Sequence, residues 1–194
     1  MTARGAVFVD RDGVINELVP DPRSGRPESP LRPSDVRLVP GAAAALRRLC
    51  DAGWPLVGVS NQPAAAKGLV AVEAIHAVQA RVLELLATDG VQLDGFELCL
   101  HHPDGVVPAL TGDCKCRKPA PGMLLEAARK LDLDLTASWM VGDTDADVAA
   151  GRAAGSHTVL IEHPGSGHKR LGEARPDAKV RNLAGAASVI VGEG

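Results

Sequence analysis

Five short apolar runs, separated by segments of helical periodicity, constrain this chain more than any other feature. Ala6-Val-Phe-Val9 stops at Asp10, Pro55-Leu-Val-Gly-Val59 at Ser60, Phe96-Glu-Leu-Cys-Leu100 at His101, and Trp139-Met-Val141 at Gly142-Asp143. The fifth, His157-Thr-Val-Leu-Ile161, follows Gly155. Runs of this kind suit strands buried on both faces. Between them, Ala42 to Ala52 is rich in Ala, Leu and Arg and stops at Gly53, a C-cap residue. Val72 to Thr88 puts Val72, Ile75, Val78, Val82, Leu85 and Leu86 on one helical stripe. Further helices are predicted over Met123 to Leu131, Asp145 to Ala154 and Ala184 to Val191.

Strand and helix alternating in this way predict an α/β fold, a Rossmann-like three-layer α/β/α sandwich around a parallel sheet. The 194 residues make one domain, 1–194, with no large cap domain. In such sheets, ligands sit beyond the carboxyl ends of the strands. Asp10, Ser60, His101 and Asp143 all fall there. One stretch breaks the rhythm: Leu18 to Pro40 holds six prolines and four arginines and reads as a long substrate-side loop. Arg23, Arg26 and Arg32 in it either meet an anionic substrate or keep the loop solvated.

Composition narrows the function classes. The net charge is −3 without a long basic run, which gives nucleic-acid binding little support. No apolar stretch approaches membrane-span length, and the run before Asp10 is too short for a signal sequence, so a cytoplasmic location is expected. With two Phe, two Trp and no Tyr, the core must be aliphatic. No exposed apolar helix stands out, so a monomer is expected. The four cysteines then read as thiols or metal ligands rather than a disulfide framework.

Asp10 and Asp12 bracket Arg11 just past a strand, and such a carboxylate pair suits Mg²⁺, with Asp143 able to complete the site. A carboxylate there can also attack phosphorus, while its neighbour protonates the leaving oxygen and then activates water. Read alone, Asp-Arg-Asp-Gly also describes a turn. Ser60-Asn61-Gln62 can hold phosphate oxygens but is also a common cap or loop sequence. Lys118 offers a point charge to a phosphoryl group. Cys99, His101, Cys114 and Cys116 form a Cys₃His set that suits structural Zn²⁺ over residues 99–116, closing 12 residues between His101 and Cys114. His102 is the rival imidazole. Cys50 and Met123 read as core, and His76 as solvated.

Val7 to Asn16, Ser60-Asn61-Gln62, Arg117-Lys118-Pro119 and Val141-Gly142-Asp143 together resemble the four motifs of the haloacid-dehalogenase superfamily. With the metal loop between the second and third, the chain is similar to the branch of heptose 1,7-bisphosphate and histidinol-phosphate phosphatases, from about Ala6 to Leu160. The resemblance implies Asp10 as nucleophile and Asp12 as general acid/base. It implies Asp10, the Asp12 carbonyl and Asp143 around Mg²⁺, and Ser60, Asn61 and Lys118 at the transferred phosphoryl group. Arg117 and Lys67 are candidate contacts to a phosphorylated sugar. A Pro-Ala-Ala-Ala stretch after Gln62 and Thr144 after Asp143 depart from the family pattern. The expected reaction is removal of the phosphate far from the anomeric carbon of a heptose bisphosphate. The 12-residue metal loop favours this over histidinol phosphate. A zinc-stapled phospho-ligand binding protein without turnover is the reading of another class.

Overall fold

The computed structural model describes residues 4–21, 24–172 and 174–192. Arg23 lies outside the described residues. The chain runs β1 (Val7–Val9), β2 (Val19–Pro20), β3 (Pro27–Glu28), α1 (Ala42–Asp51), β4 (Leu56–Asn61), α2 (Val72–Thr88), β5 (Gly95–Cys99), α3 (Gly122–Leu131), β6 (Trp139–Gly142), α4 (Asp145–Ala154), β7 (His157–Ile161), β8 (Ala178–Val180) and α5 (Leu183–Val191). Six strands form a parallel sheet in the order β5-β4-β1-β6-β7-β8. The chain order reverses beside β1, with Val7 paired to Leu56 on one side and Trp139 on the other. That reversal is where α/β sheets leave a crevice for ligands.

The two faces of the sheet divide the core. Val7, Val9, Leu56, Val141 and Val159 pack with Leu46 and Leu49 of α1, Val78 and Val82 of α2, and Ala186 and Ile190 of α5. The residues that alternate with them, Ala6, Phe8, Val57, Val59 and Met140, pack with Met123 and Leu124 of α3 and Ala150 of α4. Three layers result because each strand is apolar on both sides. Among the described residues, no helix is long and apolar enough to cross a membrane. Met123 is core and His76 is exposed, while Cys50 is half-buried against the core.

The structure departs from the expected elements in three places. The stretch 18–40 carries structure of its own, an antiparallel pair of two-residue strands with Val19 opposite Glu28, then a 3₁₀ turn at Pro33–Asp35. Pairs this short have no readable period, and Pro20 and Pro27 argue against strands. The edge strand β8 went unpredicted because it has three residues and exposes Lys179. Strand β4 continues through Ser60 and Asn61, so these two are held by the ladder to Leu98 and Cys99.

Candidate active site

Beyond the strand ends lies a cleft of about 320 Å³, lined among others by Asp10, Asp12, Ser60, Lys118, Asp143 and Asp147. It shares Leu18, Glu28, Ser29, Pro63 and Lys67 with a neighbouring cavity of about 1000 Å³ under the β2–β3 hairpin. Lys118 enters the cleft from the segment before α3 and is only 4% exposed. Its Nζ lies 2.6 Å from Asp10 Oδ1 and 2.6 Å from Asp147 Oδ1, and donates to the Val59 carbonyl at 2.9 Å. Burial works against its charge, but the two carboxylates outweigh burial and raise its pKa.

The carboxylates are more numerous than the lysine can neutralise. Oxygens of Asp10, Asp143 and Asp147 lie within 4.8 Å of one another. Burial, together with the charges of Asp147 and Asp12, pushes Asp10 up to about 7 against the pull of Lys118. Burial, then Asp10 and Asp147, raise Asp143 well above the carboxylate range. Its Oδ1 is buried without a hydrogen-bond partner. Crowded carboxylate oxygens with an unpartnered atom among them fit a hard divalent cation.

Asp12 is treated differently from Asp10. Fully buried Arg11 grips it with Nε at 3.2 Å and Nη2 at 3.0 Å, both to Oδ1. Asn16 Nδ2 donates to the same oxygen at 3.0 Å, while Ser29 Oγ and Gln62 Nε2 donate to Oδ2 at 2.9 and 2.5 Å. Burial favours the neutral acid, but Arg11 and these donors prevail and hold Asp12 below its ordinary pKa. Two carboxylates two residues apart are thus driven in opposite directions, Asp12 toward the ionised form and Asp10 toward the neutral one.

The other predicted residues are placed as follows. Ser60 Oγ lies in the cleft, accepting from Gln62 Nε2 at 2.9 Å and 3.5 Å from Asp12 Oδ2. Asn61 lines the cleft, but its amide is engaged elsewhere. Nδ2 donates to the Lys118 carbonyl at 2.9 Å, and Oδ1 accepts the Lys118 N–H at 3.0 Å. It clamps the lysine's main chain to β4. Lys67 and Arg117 line the cleft, with Arg117 Nη1 donating to the His101 carbonyl at 3.2 Å.

Cys99, His101, Cys114 and Cys116 bring four donor atoms within 4.8 Å of one another. Cys116 Sγ is 3.2 Å from Cys99 Sγ, 3.3 Å from Cys114 Sγ and 3.4 Å from His101 Nδ1. A tetrahedral Zn²⁺ with three thiolates and one imidazole has edges of about 3.5–3.8 Å, so the donor set fits that ion. His102 Nδ1 instead accepts the Asp104 N–H at 3.1 Å. The cluster therefore uses His101.

Arg11, Asp147 and Ser166 belong to the site, although the sequence reading assigned them no role there. Asp147 had a signal, lying four residues after Asp143 in the first turn of α4. Its Oδ2 accepts from Thr144 N at 3.0 Å and Thr144 Oγ1 at 2.6 Å, so it caps the helix and faces Lys118 at once.

Comparison with known proteins fixes the class first. A family profile described as HAD-hydrolase-like matches residues 115–191. The D-glycero-beta-D-manno-heptose-1,7-bisphosphate 7-phosphatase of Yersinia pestis is 36% identical over 92% of this chain and 91% of its own. A D-glycero-alpha-D-manno-heptose-1,7-bisphosphate 7-phosphatase of Photorhabdus laumondii is 33% identical over 82% of this chain and 84% of its own. The crystal structure of D,D-heptose 1,7-bisphosphate phosphatase from B. bronchiseptica, complexed with magnesium and phosphate, matches with a TM-score of 0.75 and 29% identity, covering 98% of this chain and 99% of that one. The chain belongs to the haloacid-dehalogenase-like family that contains these heptose-bisphosphate phosphatases.

Proposed function

We propose that this protein is a Mg²⁺-dependent phosphatase acting on a D-glycero-D-manno-heptose 1,7-bisphosphate, releasing the phosphate at carbon 7 and leaving the 1-phosphate. The observation that carries this reading is the crowding of Asp10, Asp143 and Asp147 oxygens within 4.8 Å at the head of one cleft, with Lys118 between Asp10 and Asp147. The names of the relatives support the sugar.

An oxygen of Asp10 attacks phosphorus to give an aspartyl-phosphate, and Asp12, ionised in the free enzyme, relays the proton of the bound phosphate monoanion to the leaving alkoxide. Asp12, again a carboxylate, then accepts a proton from the water that cleaves the acyl-phosphate and restores Asp10. Lys118 and Ser60 face the phosphoryl oxygens. Asp10, the Asp12 carbonyl and Asp143 would hold Mg²⁺, which when bound supplies positive charge to the phosphoryl oxygens. The test is phosphate release from both heptose anomers beside fructose 1,6-bisphosphate and histidinol phosphate. One heptose anomer is expected to lead by about 100-fold or more in kcat/KM. Equal, slow turnover across the panel would remove the heptose reading.

The Cys₃His cluster is read as a structural Zn²⁺ site, because four protein donors leave no position for water. Arg117 and Lys118 follow Cys116 directly, so the metal orders both. Removing zinc with a chelator, or the site with Cys116→Ser, is expected to raise KM for the bisphosphate by about tenfold or more, as a folded loop is lost with its metal. Unaltered affinity in a zinc-free protein, verified by metal analysis, would end this reading.

A further inference from the structure

Residues 163–170, which follow β7, wrap around Asp143 and had no motif to announce them. His163 opens the segment, its Nδ1 accepting the Gly165 N–H at 3.1 Å, and Pro164–Lys169 forms a 3₁₀ turn. That turn buries Ser166, whose Oγ donates to Asp143 Oδ2. Arg170 Nη1 closes the wrap, donating to the Asp143 carbonyl at 3.1 Å and the His163 carbonyl at 2.9 Å. Gly13 (φ 84°) presses from the other side. A Cβ on it would stand 2.2 Å from Asp143 Oδ2 and 3.3 Å from Ser166 Oγ. Oδ2 is thus fixed by a hydroxyl and a backbone wall, and Oδ1 is the buried atom left without a partner.

We infer that Ser166 is a positioning residue for the cation site: its hydroxyl occupies Oδ2 of Asp143 and so presents Oδ1 to the ion. This rests on the divalent-cation reading above. Hydrogen bonds that orient a ligating carboxylate commonly govern affinity by about 10- to 100-fold. The test titrates purified protein with MgCl₂ alone in a calorimeter, without substrate. Ser166→Ala is expected to raise the Mg²⁺ dissociation constant about tenfold or more. Ser166→Cys, nearly the same shape but a weaker donor, is expected to fall between the two. Turnover lost by the alanine variant at low Mg²⁺ should return as Mg²⁺ is raised. Wild-type affinity in Ser166→Ala would overturn the inference. So would a cysteine variant equal to wild type, which would make the role one of packing. Should the alanine variant fail to fold, the cysteine variant decides by the same titration. A wild-type enzyme that hydrolyses phosphate esters yet takes up no Mg²⁺ would fell the cation reading itself, and this inference with it.

Discussion

Asp10→Asn is expected to lower kcat by about 10⁴-fold or more, the scale of effect when a catalytic nucleophile is removed. The amide keeps the shape of the carboxyl and still accepts from Lys118 Nζ, but it cannot form the acyl-phosphate. The same change is expected to leave the metal-free fold at least as stable at pH 8. The reason is linkage. Asp10 has a folded pKa of about 7 against an ordinary 3.8. The folded state therefore holds the proton more tightly than the unfolded state between those values. Stability from this group is present at low pH and lost as pH rises through about 7. Above that point the ionised carboxylate is a burden that Asn does not carry. Phosphate release and thermal melting at pH 8, run together, separate chemistry from folding. Turnover retained by a folded Asp10→Asn protein would rule Asp10 out as the nucleophile.

Lys118→Met should damage both. Removing one member of a buried ion cluster costs about 3–5 kcal/mol, because the partners stay buried and uncompensated. Here those partners are Asp10, Asp147 and the Val59 carbonyl, at 2.6, 2.6 and 2.9 Å. At about 2–4 °C per kcal/mol for a chain of this size, melting at pH 8 should drop by about 6–20 °C. Turnover should fall about 10²- to 10³-fold with the loss of a charge aimed at the phosphoryl group. The pH dependence has a definite sign. The fold raises the pKa of Lys118, so in the wild type its stabilisation is complete throughout pH 5–8. In the variant, the orphaned carboxylates shed their repulsion by taking up protons. The gap in melting temperature should therefore narrow as pH falls from 8 to 5. A variant melting like wild type at pH 8 would show that the lysine does not hold the carboxylates together.

The layers of the fold were legible because their strands are buried on both faces and therefore uninterrupted in the sequence. Val7–Val9, Leu56–Val59 and Trp139–Val141 each announce themselves, and their ends locate Asp10, Ser60 and Asp143. The β2–β3 hairpin was not legible. Two residues per strand carry no alternation, and its prolines signal the opposite. Asp12 was visible, but its keeper was not. Arg11 reads as a surface cation between two acids, and only the turn back to Asn16 buries it completely. Ser166 is a lone hydroxyl among glycines, remote in sequence from the carboxylate it touches. The bonds of Asn61 to the Lys118 main chain were not legible, because the sequence does not show that Lys118 comes within reach of β4. The Cys₃His cluster was readable residue by residue, since its pairs lie at metal-ligand spacing.

Three of the connections that rim the cleft, after β1, β5 and β7, hang from ends the parallel ladder already anchors. The closure entropy of such a loop grows only slowly with its length. Each can be lengthened, shortened or exchanged at little cost to the sheet beneath. Ser60 stands in β4 itself, and Asp10 and Asp143 directly follow β1 and β6. The hairpin is in this sense an interchangeable part, whereas the metal-pinned loop leads into Lys118 and the last segment carries Ser166 to Asp143. Grafting the hairpin is the economical route to a phosphatase of altered substrate range.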